Sequence, residues 1–85
     1  MNPCDVGLTR EAEDNLAEIW VEATDRQAVT EAEAAIYDLL RSDPAGKGTP
    51  VAEGLYKISH APLTAFCSID EARRAVEINR VWRPG

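Results

Sequence analysis

Apolar residues recur at every third or fourth position over two stretches in the first half of the chain, a pattern that predicts two amphipathic helices. A short strand over residues 4–8 is predicted before the first helix, and Thr9 stands where a helix N-cap is expected. The second helix is predicted to begin at Arg26, with Asp25 able to cap it, and to end near Pro44. Because so few residues separate the two helices, we expect an antiparallel helical hairpin.

The second half of the chain shows the two-residue alternation of β-strands. Strands are predicted over residues 55–60, over residues 63–69 and from residue 76 onward, whereas residues 43–52 are predicted to form a long loop rich in Gly and Pro. The alternation of the last strand breaks after Ile78. A bulge at Asn79 and Arg80 would restore it.

Together these elements predict an α+β fold in which an N-terminal helical hairpin packs on one face of a small antiparallel sheet of about four strands. We expect one domain over residues 1–85 with a modest core, since a domain of this size buries only about 60% of its unfolded surface. The predicted core residues are Leu16, Ile19, Trp20, Ile36, Leu39, Leu40, Ile58, Phe66, Val76 and Ile78.

Composition narrows the class of protein. Hydrophobic residues make up 45% of the chain and charged residues 28%, as in ordinary globular proteins, and no apolar run is long enough to span a membrane. The first residues show no secretion signal, so we expect the protein in the cytoplasm. Cys4 and Cys67 lack a metal-binding spacing and are predicted to be reduced, with a disulfide between them as the alternative.

The net charge of −6 is unevenly distributed along the chain. Residues 1–53 carry four basic and twelve acidic groups, whereas residues 54–85 carry five basic and three acidic groups. Surfaces that bind DNA or RNA usually show clustered Lys and Arg, so the pI of about 4.6 argues against autonomous nucleic-acid binding. For most acidic residues on the helices, a solvated surface is the simplest interpretation.

Candidate catalytic side chains are few. Residues 46–49 resemble a phosphate-binding loop only superficially, because Pro50 and a strand follow where a helix should begin. His60 is the only histidine, and neither a metal site nor a cofactor is predicted. It is the natural candidate for acid–base catalysis, and a turn residue before Pro62 is the alternative interpretation. Trp82 lies close in sequence to the basic residues near the C-terminus.

Several segments carry a family resemblance. Residues 8–20 combine the end of a strand, a threonine, an Ala-x-x-x-Leu spacing and an aromatic residue. The other matching positions lie in the second half of the hairpin and in the later strands: Leu40, residues 43–44, residues 62–66, residues 69–70 and residues 76–82. In this order and spacing they resemble the RelE/ParE toxin superfamily of plasmid-stabilisation and toxin–antitoxin systems. The resemblance implies a helical hairpin on a sheet and an antitoxin as protein partner.

The resemblance also implies two kinds of activity. RelE-like members cleave messenger RNA on the ribosome without a metal ion, using cationic side chains to steady the phosphate. ParE-like members inhibit DNA gyrase. In this chain Leu63 stands where RelE-like members have an arginine, and no tyrosine follows Trp82. The candidate catalytic residues that remain are Lys57, His60, Arg80 and Arg83.

Three hypotheses therefore stand: a ribosome-dependent ribonuclease, a non-catalytic toxin-like inhibitor or binding module, and a decayed, non-toxic relative held by a partner. The resemblance implies that the otherwise disordered end of the antitoxin folds around the helical hairpin and the sheet. An acidic amphipathic segment of it would cover the mildly basic sheet half. Trp82 is the predicted apolar anchor of that interface.

Overall fold

The computed structural model describes residues 4–84, so positions 1–3 and 85 of the expected domain lie outside the described residues. Along the chain the elements are β1 (Asp5–Leu8), α1 (Arg10–Glu22), α2 (Arg26–Ser42), α3 (Pro44–Lys47), β2 (Thr49–Ala52), β3 (Leu55–His60), β4 (Leu63–Asp70) and β5 (Ala75–Trp82). Among the residues that the structure describes, no helix has the length and apolarity needed to cross a membrane.

Both predicted helices are present, and local hydrogen bonds explain where each begins. Thr9 caps α1, because its Oγ1 accepts the backbone N–H of Ala12 at 3.2 Å. Asp25 stands at the N-cap position of α2, but its side chain makes no capping hydrogen bond. Its carboxylate instead accepts hydrogen bonds from Arg83, which follows the last strand. The boundary of α2 was predicted correctly, whereas the capping bond is not formed.

The sheet has five strands in the order β1-β5-β4-β3-β2. β1 runs parallel to β5, and the other neighbouring pairs are antiparallel. The additional strand is β2, which with α3 replaces the long loop predicted over residues 43–52. β2 shows no alternating pattern because it is a short edge strand, exposed at all four residues and containing Pro50. Gly54, with φ of 73°, lies in the tight turn from β2 to β3.

α1 and α2 cover one face of the sheet, here called the inner face, and the core lies between them and it. Predicted core residues that are buried there are Ile36, Leu40, Ile58, Val76 and Ile78. Three others, Leu16, Ile19 and Leu39, are partly buried and pack against this core. Ala12 and Ala32 are fully buried, because small side chains let the helices lie close to the sheet.

Two predicted core residues lie elsewhere. Trp20 is 47% exposed, since it stands at the edge of the apolar stripe of α1 and not in its centre. Phe66 is half-buried on the sheet face opposite the helices. The nearly continuous apolar run of β4 concealed its alternation, so the sequence did not show which of its residues face the helices.

Candidate functional site

The sheet face that turns away from the helices is here called the outer face. Side chains alternate between the two faces along a strand. In β4, Ala65 and Cys67 belong to the core, so the residues between and beside them, Thr64 and Phe66, lie on the outer face. Register with β4 places four further side chains of β3 and β5 on this face: Lys57, Ser59, Arg80 and Trp82.

A bulge in β5 determines which of its side chains reach the outer face. Ile78 is buried in the core and pairs with Cys67, whereas Arg80 pairs with Phe66, so Asn79 is an extra residue without a partner on β4. With strict alternation Arg80 would point inward like Ile78. The extra residue reverses the order and points Arg80 outward. The bulge predicted at this position is confirmed, and the outer face depends on it.

Hydrogen bonds from polar side chains hold the bulge in place. Thr9 Oγ1 donates to the carbonyl oxygen of Asn79 at 3.1 Å, and Asn79 Nδ2 donates to Ser68 Oγ at 2.7 Å. Asn15 Oδ1 accepts the backbone N–H of Val81 at 3.1 Å. Thr9 and Asn15 belong to the cap and the body of α1. The first helix therefore helps to set the geometry of the last strand.

One end of the outer face combines aromatic rings with positive charge. Lys57, Phe66 and Arg80 form a row across three strands, and both cations are exposed. Since neighbouring strands lie about 4.8 Å apart, the backbones of the two cations are about 10 Å apart. Phe66 packs against Trp82, with ring centroids 4.7 Å apart and planes inclined at 48°. We call these four residues the cationic end.

A pair of hydroxyl groups adjoins the cationic end. Ser59 pairs with Thr64, and Thr64 pairs with Trp82, which forms a second row across the same three strands. The oxygen atoms Ser59 Oγ and Thr64 Oγ1 lie 3.0 Å apart and share a hydrogen bond. The cationic end thus offers two positive charges and two rings to a ligand, and the exposed Ser59 lies beside it, whereas Thr64 is buried.

The opposite end of the outer face is acidic. Asp5, Asp70 and Glu77 are exposed there and border a hollow that Gly7 and Ser68 also line. Arg73, in the turn between β4 and β5, has its Nε 3.9 Å from Asp70 Oδ2 and offsets part of this negative charge.

The four predicted catalytic residues do not share one face of the sheet. Lys57 and Arg80 face outward, whereas His60, three residues after Lys57, has the opposite register and lies exposed at the end of β3. Arg83 points toward the helices, where it donates two hydrogen bonds of 2.8 Å to the carboxylate of Asp25. The structure thus brings Lys57 and Arg80 together and leaves the other two apart. The catalytic role of all four stays a prediction.

The ion pair of Arg83 with Asp25 changes the protonation of both groups. The hydrogen bonds from Arg83 lower the pKa of the Asp25 carboxyl, and the same bonds raise the pKa of Arg83. Both side chains stay charged over the whole neutral range. Arg83 therefore joins the end of β5 to the linker between the helices.

The buried thiol of Cys67 is not arranged for chemistry. Cys4 and Cys67 are both free, so the alternative of a disulfide between them is wrong. Burial raises the pKa of Cys67 to about 11, which keeps it protonated and a poor nucleophile at neutral pH. Within residues 4–84, no three His, Cys, Asp or Glu side chains come together in a way that could hold a metal ion.

No family model matches the chain, and no curated protein matches it in sequence. Several solved structures match it in fold. A chain of the toxin–antitoxin complex RelBE2 from Mycobacterium tuberculosis superposes with a TM-score of 0.74 at 21% identity, over 99% of this chain and 94% of that one. A chain of the chromosomal ParDE TA system from P. aeruginosa gives a TM-score of 0.70 at 14% identity, over 96% and 97%. A chain of the archaeal RelE–RelB complex from Pyrococcus horikoshii gives 0.66 at 12% identity, over 96% of each chain.

The chain has the RelE/ParE fold. The family resemblance of the sequence segments is thereby confirmed for the architecture of the hairpin and the sheet. The strand register also places on the outer face a residue that sequence reasoning assigned to the core, Phe66, whose ring forms the middle of the cationic end. The predicted bulge alone could not show this, because only the pairing of β5 with β4 places Phe66 beside Arg80, and the sequence pattern does not determine that pairing.

Proposed function

We propose that the chain is the toxin component, or a toxin-like protein, of a type II toxin–antitoxin or plasmid-stabilisation system, and that the cationic end of its outer face contacts the target. The fold supports the first part, since the similar structures include toxin–antitoxin complexes. The row of Lys57, Phe66 and Arg80 carries the second part, because it exposes two cations beside a pair of rings.

The first candidate activity is metal-independent cleavage of messenger RNA on the ribosome. Lys57 and Arg80 would hold the phosphate from two sides and stabilise the charge that develops when the 2′-hydroxyl attacks. Phe66 and Trp82 offer rings on which an unpaired base stacks, an interaction that contributes about 1–3 kcal/mol per base. Lys57 is then the proton-transfer group on this face, since the side chain of His60 belongs to the other face of the sheet.

The second candidate activity is inhibition through protein contacts, as in a gyrase-type inhibitor. The acidic end with Asp70 and Glu77 lies on the same face as the cationic end. A face that carries both signs of charge complements a protein surface with both signs better than it complements a long polyanion. This activity needs no proton-transfer group.

A cognate antitoxin is the proposed protein partner, as in the RelBE2 and RelE–RelB complexes to which the chain is similar in fold. Trp82, half-buried against Phe66 on the outer face, is its proposed apolar anchor there. The proposed compartment is the cytoplasm, and no cofactor is proposed.

Induced expression in a bacterial host without any neighbouring gene tests the proposal. Growth arrest with cleaved messenger RNA supports the ribonuclease, and arrest with intact messenger RNA supports the protein-contact inhibitor. The double variant Lys57→Ala/Arg80→Ala should relieve the arrest. The matched control Arg41→Ala/Lys47→Ala, which removes two exposed cations of α2 and α3, should not. Normal growth with the unaltered, well-expressed chain would contradict both toxin activities. It would support the third hypothesis, a decayed, non-toxic relative.

A further inference from the structure

Large and small side chains are separated along the outer face of the sheet. The cationic end carries two aromatic rings, those of Phe66 and Trp82, here called the ring pair. The acidic end carries Gly7, Ser68 and Ala75, which have small side chains or none and line an open hollow of about 390 Å³. A cavity of about 150 Å³ is enough to hold a benzene molecule, so the hollow has room for aromatic side chains.

The two ends lie in neighbouring rows of the sheet. Ser68 pairs with Glu77, and two residues away along β4, Phe66 pairs with Arg80. These rows are about 7 Å apart, since each residue of a strand adds about 3.4 Å. Two copies of the chain can therefore meet face to face about a two-fold axis that runs across the strands between the rows. This axis brings Phe66 of each copy over Ser68 of the other, and Arg80 of each over Glu77 of the other.

The charges of the face favour the same arrangement. Arg80 and Glu77 are both exposed, and neither forms a salt bridge within residues 4–84. Their contact between copies occurs twice by symmetry, which gives two ion pairs. A two-fold axis along the strands would instead place Arg80 over Lys57, and the like charges would repel. Arg73 and Arg74, in the turn after β4, reduce the negative charge of the acidic end, so the decisive contact is assigned to Glu77.

The size of the outer face fits a weak dimer. The sheet has five strands about 4.8 Å apart, and β4 and β5 have eight residues each, so the face measures about 20 Å by 27 Å. Two such faces in contact bury about 1,000 Å², which is near the lower limit for a specific interface. We expect a dissociation constant in the micromolar range and an equilibrium between monomer and dimer that depends on concentration.

We infer that the outer face binds the outer face of a second copy of the chain, with the ring pair of each copy in the hollow of the other. Trp82 then lies over Ala75, as Phe66 does over Ser68, so large side chains meet small ones. The net charge of −6 on each copy opposes association and keeps the dimer weak. The dimer itself goes beyond the proposed function, but one consequence rests on it: the dimer covers the cationic end and keeps it from a target.

Charge exchange in the purified full chain tests this dimer by sedimentation velocity over a range of concentrations. The unaltered chain of 9.3 kDa should change from monomer to dimer as its concentration rises. Arg80→Glu and Glu77→Arg each bring like charges together twice, so each should weaken the dimer by more than about tenfold. An equimolar mixture of the two variants should form a dimer again, and so should the double variant Arg80→Glu/Glu77→Arg, because every contact then joins opposite charges.

Net charge alone predicts a different result. Glu77→Arg makes each copy less negative by two charges, so general repulsion between copies predicts tighter association, whereas the face-to-face contact predicts weaker association. Glu18→Arg is the control, since it makes the same change at an exposed position of α1 and should not weaken the dimer. Tighter association of Glu77→Arg would overturn the inference. So would a mixture of the two variants that stays monomeric, or an unaltered chain that stays monomeric at every concentration.

The variant Gly7→Leu tests the hollow without changing any charge. A Cβ atom at Gly7 would meet no other atom within 4 Å, and the position is exposed, so leucine fits the monomer and fills part of the hollow. We expect the dimer to weaken by more than about tenfold because the ring pair of the second copy loses its room, while unfolding in urea stays as in the unaltered chain. An equally tight dimer of Gly7→Leu would overturn the inference. The growth assay tests the toxin proposal separately.

Discussion

The two faces of the sheet are built in different ways. The inner face consists of apolar side chains such as Ile58, Val76 and Ile78, which the helices cover. The outer face has no covering element among the described residues, and it joins an aromatic pair and two cations at one end to carboxylates at the other. The inner face is determined by burial of apolar area. The outer face is determined by one extra residue, Asn79, and by the polar side chains that hold it.

β5 contributes side chains to both faces, and it shows how the core and the outer face are specified separately. Before the bulge Ile78 faces the core, and after it Val81 does, so the core stays continuous while the outward positions are reassigned. A chain can change the side chains of its outer face without losing its core, provided that the bulge is kept. Stability and target binding are therefore separable in this sheet, and substitutions should separate them.

Insertion of one alanine between Arg80 and Val81 should have the largest effect. With the bulge kept, the inserted residue would face the core, so Val81 would turn outward and Trp82 would turn inward. The core would lose the Val81 side chain, which is 5% exposed, and would have to take up an indole ring instead, at a cost that is a large share of the stability of so small a domain. We expect the insertion variant to lose cooperative unfolding in urea, followed by circular dichroism. A cooperative transition close to that of the unaltered chain would show that the alternation of β5 after the bulge does not determine the core.

Truncation of the core should follow in size. Leu40 is fully buried, so Leu40→Ala removes its packing on the inner face and should cost about 2–5 kcal/mol in the free energy of unfolding. Val21→Ala is the control, because Val21 is 69% exposed and its loss should change stability by less than about 0.5 kcal/mol. Equal losses in the two variants, measured by urea unfolding, would contradict the assignment of the core.

The comparison of the faces also explains how much the sequence could predict. Ile36, Leu40, Val76 and Ile78 were predicted to be buried because an amphipathic helix or a half-buried strand must place its apolar residues on one side. Phe66 was assigned to the wrong face because every residue around it is apolar or small, and composition alone gives such a strand no direction. Which side chains of β4 face the helices becomes known only when the strand that pairs with it is known.

Other features lay beyond the sequence for a different physical reason. β2 forms through backbone pairing with β3, and its four exposed side chains show no periodicity. Asp25 and Arg83 are far apart in sequence, and nothing in either local pattern indicates that they bind each other. The exposure of Trp20 was not visible in the sequence because an exposed tryptophan and a buried one look the same in a helical stripe.

Replacing Asn79 by alanine should have a smaller effect than the insertion after Arg80. The variant Asn79→Ala keeps the extra residue and removes only the hydrogen bond of 2.7 Å to Ser68, so it should cost about 0.5–1.5 kcal/mol and leave Arg80 facing outward. Ser68→Ala should cost a similar amount, and the double variant less than the sum, since both lose the same bond. A loss as large as that of the insertion would show that the amide, and not the extra residue itself, maintains the bulge.

Removing the ion pair at the end of β5 should have the smallest effect. Arg83 returns to the helix side of the sheet and binds Asp25, but both side chains are substantially exposed, so solvent and salt weaken the attraction. The hydrogen bonds from Arg83 hold the folded-state pKa of Asp25 below its ordinary value of 3.8. The unfolded chain therefore takes up a proton at this carboxyl at a higher pH than the folded chain does.

It follows that the pair stabilises the fold above about pH 4 and loses this contribution as the pH falls through the lowered folded-state pKa of Asp25. The raised pKa of Arg83 adds no pH dependence at neutral or acid pH, because the arginine is protonated in both states. We expect Asp25→Asn to be slightly less stable than the unaltered chain at pH 7, with a difference that shrinks at pH 3 and at high salt. Glu18→Gln, which neutralises an exposed carboxylate on α1, is the control. A difference for Asp25→Asn that is unchanged by pH and salt in urea unfolding would show that Asp25 stabilises the fold by something other than its charge.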